Sequence, residues 1–429
     1  MTRTLAIVGA GAKAVAVAAK AAVLREMGVD VVDVVAVERT GVAANWQAGG
    51  GWTDGRQRLG TSPEKDVGFP YRSTLAPGRN DEVDERMMRF SWQSYLVATD
   101  QFVGWIDRGR PAPTHDTWAA YLRWVADVVG LEVVRGEVLG LSVDGSRWAV
   151  HLPGSTLSAD AVMITGPGQA ERSMLSGDPR VWSIAQFWER AMRHDRIVAE
   201  NVAVIGGGET AASMLNELFH HRVSSITAIS PQATLFTRGE GFFENSLFSD
   251  PTGWRDLNLA ERRDCIARTD RGVFSARVQE SLLADERIKH LRGRVARVTD
   301  RDNRIWITLS TENRGEPLET LHRFDLVIDG SGADPTWFVP LLRPDAVDLL
   351  ELGLGGPLTC ERFEESIDDD LSVAGVTPKL ILPNLSGVNV GPGFPNLSCL
   401  GLLSDRVLGG TALASSDAKA PKSMSFQGL

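Results

Sequence analysis

Two glycine-rich turns, each set between a run of apolar residues and a helix, limit what this chain can fold into more than any other feature. In one of them, Val202-Ala203-Val204-Ile205 reads as a short buried strand, and Gly206-Gly207-Gly208-Glu209-Thr210-Ala211 continues it in the pattern G-x-G-x-x-A. Glycines at those spacings allow a tight turn and let a pyrophosphate approach the N-terminus of the next helix. That helix shows in Ala212, Leu215, Leu218 and Phe219, which recur at helical spacing. A single motif of this kind is weak evidence for a nucleotide. The chain carries a second copy, in which Leu5-Ala6-Ile7-Val8 leads into Gly9-Ala10-Gly11-Ala12-Lys13-Ala14. From there an alanine-rich helix is expected to about Met27, with Gly28 as its C-cap, and Val31 to Val37 gives another apolar strand ending on Glu38. An acid at that point, roughly twenty residues past the glycines, is where a ribose hydroxyl is held. The sequence therefore predicts an α/β chain with two dinucleotide-binding, Rossmann-like domains.

The segments downstream of the two turns repeat as well. After the first come Arg135-Gly136-Glu137-Val138, then Val143, Trp148 and Leu152, then Val162-Met163-Ile164 closing on Thr165-Gly166-Pro167-Gly168. After the second come Arg292-Gly293-Arg294-Val295, then Val298, Trp306 and Leu309, then Leu326-Val327-Ile328 closing on Asp329-Gly330-Ser331-Gly332. Each half thus reads as turn, helix, strand, antiparallel meander and a last strand ending in G-x-G. The second unit is expected to be inserted into the first. The expected boundaries are 1–175 with 325–410 for the first domain, 196–324 for the second and 411–429 for a flexible tail.

Composition narrows the function. At 429 residues there is core enough for two or three domains. No run of about 18 apolar residues exists, and the Ala/Val stretch after Gly11 is broken by Lys13, Lys20 and Arg25. The first strand begins almost at Met1 with no basic segment before it, so a cytoplasmic protein is expected. A net charge of −10 argues against nucleic acid or an anionic membrane as partner and for small ligands. Cys265, Cys360 and Cys399 contain no C-x-x-C pair, which sets aside the disulfide oxidoreductases that also use two dinucleotide turns. The seven histidines contain no H-x-x-x-H spacing, so no metal site is predicted. A homo-oligomer stays open.

Three segments exceed what two nucleotide domains need. Asn45 to Arg72 combines Trp46 and Trp52 with Gly49-Gly50-Gly51 and with Ser62-Pro63-Glu64-Lys65-Asp66, as if backbone were folded against a flat ligand, a solvent-exposed loop being the alternative. Arg238 to Trp254 mixes Phe242, Phe243 and Phe248 with Asn245. In Gly391 to Leu403, Pro392, Gly393 and Pro395 precede a helix expected from Asn396, whose positive end suits an anionic flavin. With these residues the chain resembles the flavin-dependent N-hydroxylating monooxygenases of siderophore biosynthesis, in particular those acting on lysine. The resemblance covers nearly everything but the tail. It implies FAD on Gly9, Ala10, Gly11, Ala12, Lys13, Ala14, Glu38, Asn45 and Trp46, and NADPH on Gly206, Gly208, Glu209, Thr210, Ser230 and Arg238. It implies a lysine or acyl-lysine substrate held by Lys65, Asn245 and Ser398, with dioxygen as co-substrate and with the chemistry resting on Asn245 and Asp270.

The chain also departs from that family. Trp46-Gln47 stands where Trp-His is usual, Gly60 where a glutamine precedes the lysine by five positions, and Asp329-Gly330-Ser331-Gly332 replaces an alanine-threonine-glycine-tyrosine turn. Thr269-Asp270-Arg271-Gly272 replaces a T-N-Y-S element whose asparagine lies near the nicotinamide. The implied reaction reduces FAD with NADPH and activates dioxygen as a flavin C4a-hydroperoxide, which an amine lone pair attacks. Only a neutral amine can do so, and deprotonating a lysine side chain of pKa about 10.4 at pH 7 costs roughly 4 to 5 kcal/mol. The site should therefore desolvate that amine or offer it an acceptor. Rival readings are another two-dinucleotide monooxygenase or reductase, and a non-catalytic nucleotide sensor. The first lacks its F-x-G-x-x-x-H run between Gly166 and Asn201. The strand Ser225 to Ile229, ending in Ser230-Pro231-Gln232 without a carboxylate, and Arg238 beyond it favour NADPH over NADH.

Overall fold

The computed structural model describes residues 3–168, 177–193, 196–313 and 315–412. Strand β1 (Thr4–Val8) is buried from Leu5 onward and runs into the first glycine turn. The helix Ala12–Glu26 comes next, and its alanines and valines let it lie close on the sheet while Gly28 beyond its end takes a positive φ of 76°. Strand β2 (Asp33–Glu38) leads into a helical insertion ending in His115–Val129, then β3 (Glu132–Arg135). The antiparallel meander is β4 (Gly140–Asp144), β5 (Arg147–Leu152) and β6 (Ser155–Ala159), and β7 (Ala161–Ile164) closes the unit, buried throughout.

The plan is then used again. Strand β8 (Val181–Trp182) precedes β9 (Val198–Ile205), the second glycine turn, the helix Glu209–Leu218 and β10 (Arg222–Ser230). The short strands β11 (Phe236–Thr237) and β12 (Val273–Phe274) pair in parallel and enclose the helices Phe242–Ser249 and Leu259–Thr269. After the helix Ala276–Leu282 come β13 (Ile288–Arg292), the meander β14 (Arg294–Arg301), β15 (Arg304–Asn313) and β16 (Glu316–Phe324), and the closing β17 (Leu326–Asp329). Strand β18 (Lys379–Ile381) and the helix Leu400–Ala412 return to the first unit. The two five-stranded sheets have the orders β18-β7-β1-β2-β3 and β8-β17-β9-β10-β13, and every pair in them is parallel.

Three boundaries differ from expectation. Strand β17 pairs with β9, Ile328 opposite Val204, so the chain leaves the second unit after Asp329 rather than at 325. Strand β8 adds residues 181–182 to the same sheet, ahead of the expected start at 196. The cause is packing at the turns: a Cβ on Gly9 (φ +98°) would lie 2.7 Å from Thr165 Oγ1, and one on Gly206 (φ +131°) would collide with Gly330 O. Each closing strand must therefore lie beside its own turn. The last helix starts at Leu400, not Asn396, because Asn396 Oδ1 accepts from the Ser398 amide at 2.9 Å and holds 396–399 in turns. It runs to Ala412, so Thr411, 7% exposed, belongs to it and not to a tail; residues 413–429 lie outside the described residues.

A buried pair ties the first helix to the last. Lys20 Nζ lies 2.9 Å from Asp405 Oδ1, with side chains 1% and 3% exposed, and also donates to Ser73 Oγ. Among the described residues, no helix is long and apolar enough to cross a membrane, and no group of three or more His, Cys, Asp or Glu could hold a metal ion.

Candidate active site

The first glycine turn opens into a cavity of about 630 Å³ bordered by Gly9, Ala10, Gly11, Glu38, Asn45 and the closing turn Thr165–Gly168. The helix behind it has Gly11 at its N-cap, no side-chain cap and no acid in its first turn. Its leading N–H groups and positive end are thus left for an anion. Glu38, at the end of β2, accepts from the Ala10 amide (3.1 Å) and the Thr40 amide (2.8 Å), which fixes its carboxylate at the rim. Cavity size, helix end and acid all fit FAD. Of the residues expected there, Ala12 and Ala14 lie in the first turn of the helix and are buried. Trp46 stands edge-on to His115, ring centroids 4.8 Å apart, and does not border the cavity. Lys13 turns the other way, donating to Asn384 Oδ1 and Pro395 O, both at 2.6 Å.

The second turn is arranged differently. A Cβ on Gly207 would lie 3.4 Å from Gly272 O, and one on Gly208 3.6 Å from the Gly272 amide, so the segment between the helix Leu259–Thr269 and β12 lies across the turn. The pairing of β12 with β11 brings it there. Glu209, the first residue of the helix, accepts from the Ser275 amide (2.7 Å) and hydroxyl (2.9 Å). Two residues expected at NADPH are engaged elsewhere. Ser230 is 2% exposed and its hydroxyl meets His290 Nε2 at 2.9 Å, since it points back into the sheet; Gln232 reaches Gly207 in its place. Arg238 binds Glu240 Oε1 at 2.6 Å and Gly60 O, joining the second unit to the first. Thr210 stands in the first turn of the helix, beside Glu209.

Where the units meet, two of the expected substrate and chemistry residues come into contact, Lys65 and Asn245. Lys65 Nζ donates to Asn245 Oδ1 at 3.2 Å, and Asn245 Nδ2 donates to Glu240 O at 2.7 Å, which fixes the amide with its oxygen toward Lys65. Burial, then Arg238, lowers the Lys65 pKa. The turn that carries Lys65 hangs on Asp66, 1% exposed, whose carboxylate accepts from the Gly68 amide (3.1 Å), the Trp92 amide (2.9 Å) and the Tyr71 hydroxyl (2.8 Å). Burial pushes Asp66 up to about 6 against those bonds. Asp270 is raised as well, again by burial first, and accepts from Asn396 Nδ2 at 3.4 Å. Ser398, 8% exposed, lies beside Cys399, whose thiol burial pushes up to about 12 while both Lys13 and Lys65 act on it. Sequence reasoning does not mark Asn396, Asn384 or Gln232 as site residues. Their partners lie far along the chain, and no local pattern singles them out.

The arrangement matches known proteins. Residues 84–285 fit the family described as L-lysine 6-monooxygenase/L-ornithine 5-monooxygenase. The L-lysine N6-monooxygenase MbtG of Mycobacterium tuberculosis is 72% identical over 409 residues, 95% of each chain, and that of Mycolicibacterium paratuberculosis is 73% identical over 408 residues, again 95% of each. The chain belongs to the lysine/ornithine monooxygenase family. Among solved members, the lysine monooxygenase NbtG from Nocardia farcinica, reported for an unprecedented NADPH domain conformation, is 54% identical with a TM-score of 0.86 over 95% of this chain and 100% of its own. The ornithine N-hydroxylase KtzI from Kutzneria, at 18% identity and a TM-score of 0.72 over 96% and 99% of the two chains, shares the family fold.

Proposed function

We propose that this protein is an FAD- and NADPH-dependent L-lysine N6-monooxygenase that supplies hydroxylated lysine for a hydroxamate siderophore, in the cytoplasm where NADPH is at hand. The observation that carries the reading is the Lys65–Asn245 contact at the junction of the two units, in a chain 72% identical to L-lysine N6-monooxygenases. Bound FAD would supply the redox chemistry and the activated oxygen. It would sit on the first helix end with Glu38 at its ribose; the second turn would take NADPH.

The protein's own residues handle the amine. Lys65 offers its ammonium to the substrate carboxylate as a charge-assisted bond in a partly desolvated place. Asn245, already accepting from an alkylammonium, offers the same carbonyl to the substrate amine, and being neutral it does not hold the proton as a carboxylate would. The partial desolvation that lowers the Lys65 pKa would act on an amine bound beside it in the same sense, lowering the cost of the neutral form that the reaction needs. Asp270, raised by burial, lies on the second unit's side of the same junction.

The test is mass spectrometry of lysine and of N-acyl-lysine after incubation with enzyme, FAD, NADPH and oxygen. The expected result is gain of one oxygen atom on an amine with matching NADPH consumption. Consumption of NADPH with neither amine altered would overturn the reading.

A further inference from the structure

Lys13 stands two residues past Gly11, the last glycine of the first turn. Both of its hydrogen-bond acceptors, Asn384 Oδ1 and Pro395 O, are neutral. Among the described residues no carboxylate forms an ion pair with it: Asp270 and Cys399 act on it from farther away, and the Cys399 thiol is protonated. An ammonium has three donors, so one is left over. A cation enclosed by protein at the positive end of a helix, without counter-charge, is a costly arrangement unless an anion joins it. Desolvation accordingly pulls its pKa down to about 8. Yet the residue keeps accessible surface, as a side chain does when it borders unfilled space.

Position says which anion. Gly11 borders the first cavity, and Cys399 is acted on by both Lys13 and Lys65. A flavin anchored at the first turn has to bring its ring to the amine beside Lys65. Lys13 lies between those two ends, two residues past Gly11 and acting together with Lys65 on the same buried thiol.

We propose that Lys13 is the counter-cation of the flavin in its two-electron-reduced, anionic form, and thereby sets the potential at which this protein accepts a hydride. The proposal rests on the first turn being the FAD site. The charges balance: NADPH gives up a hydride and leaves as NADP+, the neutral ring gains that hydride with its one negative charge, and Lys13 stays protonated and transfers nothing.

Spectroelectrochemical titration of the purified FAD-bound protein tests it. In Lys13→Met, the preference for reduced over oxidised FAD should fall tenfold or more, which is a midpoint potential lower by about 30 mV or more. Lys13→Arg should stay near wild type, and the Kd for oxidised FAD should change little in either. Lys13→Gln, which keeps a donor for Asn384, takes the place of the methionine variant if that does not fold. An unchanged potential overturns the proposal. So does loss of oxidised FAD from all variants alike, which would make Lys13 an anchor. A wild type that takes up no FAD fails the first-turn assignment itself, a result distinct from both.

Discussion

Among the described residues the Lys65 ammonium has one hydrogen-bond partner, the Asn245 carbonyl, and a pKa lowered by burial, which is how a side chain waiting for an anion is held. Lys65→Ala should raise the KM for the amino acid about ten- to hundredfold, the worth of a charge-assisted hydrogen bond of roughly 1.5 to 3 kcal/mol. Flavin content should not change; a flat KM with loss of FAD would assign Lys65 to the cofactor instead. The family resemblance puts Asp270 where an asparagine, which can donate, is usual. An ionised carboxylate only accepts and opposes negative charge building on activated oxygen, whereas a protonated one can donate. Since burial raises Asp270, its neutral form persists to higher pH than an exposed aspartate's. Product formed per NADPH should therefore fall as pH rises in the wild type, and be higher and flatter with pH in Asp270→Asn. Equal coupling in both proteins across pH would remove Asp270 from the chemistry.

The elements that carry these residues have their own weak points. His115 opens the long helix of the first unit, its Nδ1 2.9 Å from Thr53 Oγ1, and burial lowers it from the ordinary 6.5 to about 4. The folded protein thus binds fewer protons than the unfolded chain between those values. Its contribution is intact above pH 6.5 and lost as pH falls through about 4, by an amount on the order of 3 kcal/mol. His115→Gln should flatten the melting temperature over that window, and an unaltered slope would assign the acid sensitivity to other groups. The Lys20–Asp405 pair fastens the first helix to the last. Asp405→Ala should cost about 3 to 5 kcal/mol by leaving a buried ammonium unpaired, while Lys20→Met with Asp405→Leu should recover most of it, as denaturant unfolding of both variants would show. Neither pair shows in the sequence, where Lys20 appears only as a charge that breaks an Ala/Val stretch. The turns and the meanders are legible because glycine spacing and apolar periodicity are local. Lys65 and Asn245 are marked only through the family resemblance, and the structure brings the two together. The contact of Arg238 with Gly60, 178 residues away, is set only when the two units close on each other, and that of Lys13 with Pro395, 382 residues away, only when the returning segment packs onto the first helix. Ser230 departs from expectation for a similar reason: the strand's end is visible in sequence, but which side its last hydroxyl faces is not.

At the scale of the molecule, one plan is used twice and then treated unequally. The first turn faces a cavity, while Gly272 lies across the second and Ser275 is clasped to Glu209. Ser275→Ala removes the hydroxyl half of that clasp and should tighten NADPH binding without altering oxidised FAD, which calorimetry with each nucleotide would measure. Weaker NADPH binding would mean that the covering segment belongs to the coenzyme site. A coenzyme that must wait for a covering segment to lift sees only the uncovered fraction of molecules, and its apparent affinity is reduced by that fraction, so that about one molecule in a hundred uncovered means about a hundredfold weaker binding. If Ser275→Ala does tighten NADPH binding, reducing equivalents are spent only as often as the segment rises, and the Glu209–Ser275 clasp meters the draw on NADPH.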